Sequence, residues 1–76
     1  MAEDKELSFE IVQRIGTIYD GAKKSKELNI VKWGGREAKF DLRTWDKTTG
    51  KPGKGITMSA DELEKFKALV DKILAD

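Results

Sequence analysis

The chain has 76 residues and a formal net charge of +1, with no cysteine and no histidine. Disulfides and thiolate metal sites are excluded, and with histidine goes the commonest general base, so catalysis would have to rest on Asp, Glu, Lys or Tyr. A single domain of this size, 1–76, buries only about 60% of the surface its unfolded chain exposes, which makes oligomerisation a natural source of stability.

The start, MAEDKEL, is acidic where a signal peptide would be basic, and no window approaches the length of an apolar membrane span. A cytoplasmic protein is expected. Leu7, Phe9, Ile11 and Ile15 fall on one face of a first strand, with Gly16 as a bulge that bends it toward Tyr19. Asp20-Gly21 reads as a turn, 28–33 as a second strand, Gly34-Gly35 as a tight hairpin and 39–46 as a third strand. A short fourth strand over 54–58 brings Ile56 and Met58 to the core and runs into a helix. Ser59 and Glu62 have the S-x-x-E spacing of a capping box, with acids at the positive helix end. Leu63, Phe66, Leu69, Val70, Ile73 and Leu74 then form an apolar stripe about 140° wide, broad enough to cover the sheet and still meet a second copy. The predicted fold class is α+β, a four-stranded antiparallel sheet followed by one C-terminal helix (β-β-β-β-α).

The charge is segregated along the chain. Residues 1–20 sum to −3, residues 23–55 to +6 and residues 59–76 to −2. A basic block between acidic ends points to an anionic partner held by one part of the fold, although lysines that merely solvate strands and loops would give the same count. Alternation along the third strand places Phe40 and Leu42 on one side and Lys39, Asp41, Arg43 and Trp45 on the other. Trp45 is therefore expected to stand exposed among charges. Cations beside flat rings on a sheet suit single-stranded nucleic acid, in which each stacked base contributes about 1–3 kcal/mol. Two alternatives stay open. Trp45 packs under the hairpin loop or against a second subunit, or the basic sheet docks an acidic protein.

Other chemistries fit poorly. The helix begins with acids, so duplex recognition by a helix in the major groove is not expected. The segment KPGKGITMSADE brackets a lysine with glycines, but counting from Gly50 to Gly55 leaves Ile56 where a phosphate-binding loop requires lysine. Asp41 and Asp46 lie on opposite strand faces and make no magnesium pair, so the chain is not expected to be an enzyme.

The runs KFDLRTW (39–45) and KPGKGITMS (51–59), with FEI near the start and KELNIVKW in the second strand, resemble the positive cofactor four family of transcriptional coactivators, in its short bacterial-type form. The resemblance implies a homodimer of curved sheets with helices at the interface, which assigns Phe66, Leu69, Val70, Ile73 and Leu74 to dimer contacts. It also implies binding of single-stranded DNA along the sheets with little sequence preference, in association with the nucleoid. Carried over by position, Lys24 and Lys26 match basic contacts at the start of the second strand, and Trp33 the base-stacking aromatic at the hairpin. Arg36 matches the basic residue after it, Arg43 a DNA-facing arginine, and Lys54 the lysine before the glycine of the final strand. Lys32, Trp45 and Lys51 complete the candidate contacts, although the eukaryotic form carries its tryptophan one residue later after the arginine. Single-stranded RNA offers the same phosphates and bases. No cofactor, metal, small-molecule substrate or membrane partner is expected.

Overall fold

The computed structural model describes residues 8–75, so Leu7 lies outside the described residues. Within the described residues four strands, β1 (Phe9–Asp20), β2 (Lys24–Trp33), β3 (Ala38–Asp46) and β4 (Pro52–Met58), precede a helix, α1 (Ala60–Leu74). The strands form a single antiparallel meander in the order β1-β2-β3-β4. The expected β-β-β-β-α order is borne out. Three strands run longer than their apolar cores: β2 begins at Lys24, β3 at Ala38 and β4 at Pro52. The hairpin after β2 spans four residues, with Gly34 at φ +57° and the Arg36 N–H donating to the Trp33 carbonyl at 3.0 Å.

β1 departs most from expectation. Its pairing with β2 skips Val12, Ile15 and Ile18, so the strand is bulged three times. Gly16, expected to be the bulge, is itself paired with Leu28, and its neighbour Ile15 is the extra residue. Each added residue bends the strand and increases its twist. The consequence is visible in the aromatic rings. Phe9 pairs with Trp33 at one end of β2, whereas Trp45 pairs with Ser25 at the other. A flat sheet would hold Phe9 and Trp45 about 25 Å apart along the strands, at roughly 3.3 Å per residue. Their ring centroids are 5.4 Å apart, and Phe9 to Trp33 is 5.5 Å. The sheet is rolled, with Phe9, Trp33 and Trp45 on the inside.

Rolling reverses the expected burial of the two faces. Ser25, Asn29, Val31, Asp41 and Trp45 are buried on the inner face. On the outer face Phe40 and Leu42 are half-buried and Met58 is buried, but Ile56 is exposed rather than in the core. Trp45, expected to be exposed, retains 6% of its surface because the roll closes over it.

The helix starts as expected. The Ser59 hydroxyl accepts from the Glu62 N–H at 3.2 Å, while the Glu62 carboxylate accepts from the Ser59 N–H at 2.9 Å. The two bonds satisfy N–H groups that the first turn leaves without intrahelical partners. α1 meets the sheet at β3 and β4, and none of its residues is buried. Among the described residues no helix is long and apolar enough to cross a membrane.

Candidate nucleic-acid interface

A buried carboxylate organises the hairpin end of the inner face. Asp41 and Arg43 are two residues apart on β3, hence on the same side. Asp41 is 0% exposed. Its Oδ1 accepts from Arg43 Nε at 2.6 Å, and its Oδ2 accepts from a terminal Arg43 nitrogen at 2.7 Å and from the Trp33 indole N–H at 3.2 Å. The other Arg43 terminal nitrogen donates to the Gly53 carbonyl at 2.9 Å. The guanidinium carbon lies 4.5 Å from the centroid of the Trp33 ring, the arrangement of a cation–π contact. β4 permits this close approach because Gly55 stands opposite Arg43, and a Cβ there would run into the Arg43 side chain and the Leu42 carbonyl. The fork geometry of Arg43 thus fits a bidentate carboxylate and a flat ring at once, which a lysine would not match.

Around this centre the candidate residues divide by strand parity. Trp33, Arg36 and Arg43 line one open hollow at the hairpin, together with Lys39, Glu37 and Thr57. Lys24, Lys51 and Lys54 line a second with Thr44 and Asp46. A third, containing Lys26, Lys54, Ile18, Leu42 and Thr44, adjoins the second through its shared Lys54 and Thr44 and the hairpin hollow through Arg43, which borders both. Lys32 is exposed opposite Ala38 and joins none of these hollows. Trp45 lies inside the roll. The cations do not occupy one face: Lys24, Lys26 and Lys32 alternate with buried Ser25 and Val31 and so point outward, while Lys39 and Arg43 belong to the inner side. β4 is the edge around which the two groups lie, Arg43 borders the hollows on both, and Gly53 and Gly55 leave that edge without side-chain bulk on either side of Lys54.

Three residues were missed as site members in the sequence. Thr57 escaped because nothing in sequence shows that β4 brings it opposite Asp41 and so beside the hollow, and Lys39 was placed on the charged face by alternation without being counted among the contacts. Asp41 was weighed only as a metal ligand. The Asp41-x-Arg43 spacing was the available signal, since alternation makes such a pair neighbours on one face.

Beside Val31 and the aromatic rings, the inner face also carries a bonded polar cluster. Glu27 accepts from the Ser25 hydroxyl at 2.7 Å and from the Asn29 amide and Arg14 guanidinium, each at 3.2 Å. The Ser25 hydrogen bond, aided by Asn29 and Arg14, holds the Glu27 carboxyl below its ordinary value against the opposing effect of burial. These residues border Trp45, whose buried indole N–H has no hydrogen-bond partner among the described residues. A buried donor left in that state costs about 1–3 kcal/mol.

A rolled sheet that carries both tryptophans and the ten lysines and arginines of residues 23–55 on strands and turns, followed by a helix outside it, defines the class of protein. The family model described as Transcriptional Coactivator p15 (PC4) matches residues 21–69, from the turn before β2 into α1. The chain belongs to that family, as its sequence motifs led us to expect. An uncharacterized protein of Treponema pallidum (strain Nichols) is 31% identical over 72 residues, covering 93% of this chain and 85% of that protein.

Proposed function

We propose that the protein binds single-stranded DNA with little sequence preference, as a homodimer, and engages melted DNA at the nucleoid during transcription, replication or repair. The observation that carries this reading is the hairpin hollow, where the Trp33 ring, the Arg43 guanidinium and the cations Arg36 and Lys39 converge. Stacking surface and phosphate-binding charge are the two requirements of a sequence-tolerant single-strand site. Lys24, Lys26, Lys51 and Lys54 on the other side of β4 extend the charge. A strand crossing the glycine-bordered edge of β4 would meet both groups. Membership of a family named for a transcriptional coactivator supports the reading. The proposed role is binding rather than catalysis.

The dimer rests on a separate observation. Phe66, Leu69, Ile73 and Leu74 are exposed on α1, and Val12, Ile15, Ile18 and Ile56 are exposed on the sheet. Val70 is half-buried beside the same stripe. A small domain that leaves this much apolar surface uncovered gains stability by burying it against a second copy.

Tryptophan fluorescence titrated with an oligo-dT strand, an oligo-U strand and a duplex of equal length, each at two salt concentrations, tests the function. The expected result is quenching by single strands, weaker binding at higher salt and little response to duplex. No response to either single strand would overturn the reading.

A further inference from the structure

Arg43 matches a DNA-facing arginine by position, and its surroundings fit a task other than holding a phosphate. Its positive charge faces the buried Asp41 carboxylate through two hydrogen bonds, and its side chain is only 14% exposed. Of the five N–H bonds of a guanidinium, the three donated to Asp41 and Gly53 leave two. One broad face is turned to Trp33. A cation so paired and enclosed has little net charge to exchange for condensed counterions on a polynucleotide. Its flat, rigid plane, however, is what an unstacked base requires. The exposed Arg36 and Lys39 stand at the rim of the same hollow.

We infer that Asp41 is a positioning residue that converts Arg43 from a phosphate contact into part of a charge-compensated stacking platform with Trp33, so that a base enters the hairpin hollow while its phosphates lie against Arg36 and Lys39. The inference rests on the single-strand reading above and divides the labour within that site. Lysines and Arg36 supply the salt-dependent affinity. The Asp41–Arg43–Trp33 unit supplies salt-independent affinity.

Removing either charge of a buried pair alone leaves the other unpaired and endangers folding. The informative variant therefore removes both at once, Asp41→Asn with Arg43→Gln, which leaves net charge unchanged. Its thermal unfolding is first compared with wild type, and Trp33→Leu supplies a second measurement that leaves the ion pair in place. Binding of an oligo-dT strand is then measured across a series of salt concentrations for wild type, the double variant, Trp33→Leu and Lys54→Gln. Each phosphate neutralised contributes about −0.7 to the log–log salt slope of a single strand. Lys54→Gln is expected to make the slope shallower by about that amount. The double variant and Trp33→Leu are expected to lose on the order of 5- to 150-fold in affinity, as for one stacked base, with the wild-type slope retained. A slope in the double variant that falls as far as in Lys54→Gln would show Arg43 on a phosphate and overturn the inference, with single-strand binding intact. Undiminished affinity in the double variant or in Trp33→Leu would also overturn it. Absence of binding by wild type would instead remove the single-strand reading on which it stands.

Discussion

On the inner side of the rolled sheet, Ser25, Asn29 and Asp41 are buried, and the Asp41, Glu27 and Arg43 side chains are hydrogen-bonded to neighbours. On the outer side and along α1, Ile18, Ile56, Leu69 and Ile73 are more than half exposed, with Ile73 at 79%. The inner side buries these polar groups beside Val31 and Trp45, while much of the apolar surface of the chain lies outside. The contrast teaches which surface serves what. The Trp33–Asp41–Arg43 unit of the inner side is held in place by its own hydrogen bonds, whereas the outer side has apolar area still to bury. Preorganisation suits a ligand site, and uncovered apolar area suits a second subunit.

The largest predicted effects lie on the inner side. Asp41→Ala leaves Arg43 without its counter-ion and Trp45→Ala empties the roll, each at a cost of about 3–5 kcal/mol. In a domain of this size such losses lower the melting temperature by roughly 12 °C or more. Ile18→Ala and Leu69→Ala, made on the outer side and measured at a concentration where subunits are separate, should cost less than about 0.5 kcal/mol. Equal losses on both sides would break the contrast. Gly55→Ala comes next, at about 1–3 kcal/mol, because its methyl group must push Arg43 or β4 aside. Trp45→Phe should lie within about 1.5 kcal/mol of wild type, since the smaller ring loses contacts but also removes the unpartnered N–H.

The smallest effect concerns acid. The Ser25 hydrogen bond holds the folded-state Glu27 carboxyl below the ordinary value of 4.5, so it stabilises the fold above that pH and loses the contribution as pH falls through the lower folded value. Glu27→Gln should therefore be less stable than wild type near neutrality, and the difference should narrow on acidification below about pH 4.5. Melting curves of both proteins from neutral to strongly acid pH check it. A gap that widens toward acid would refute the assignment.

How far the sequence revealed this molecule depended on whether the relevant signal was local. Ser59 and Glu62 announce the helix because both partners of the cap lie within one turn. Gly34 marks the hairpin because its positive φ favours glycine. The three bulges of β1 were harder to read. Val12, Ile15 and Ile18 recur at intervals of three, a spacing that neither strand alternation nor a single bulge explains, and only pairing with β2 identifies them as extra residues. Trp45 was placed on the correct face but given the wrong exposure, because parity fixes a side and says nothing about curvature. The charge block was legible as a whole. Its division across β4 was not, since the alternation of Lys24 and Lys26 with Ser25 acquires meaning only when Ser25 is seen to be buried.

The central claim is that a single strand engages the hairpin hollow at Trp33 while Trp45 remains within the roll. The two indole N–H resonances report on these positions separately in a nitrogen–proton correlation spectrum titrated with an oligo-dT strand. The Trp33 resonance is expected to shift progressively to saturation, and the Trp45 resonance to move little. A Trp45 resonance that shifts while Trp33 stays fixed, or two resonances that ignore the strand, would contradict the claim.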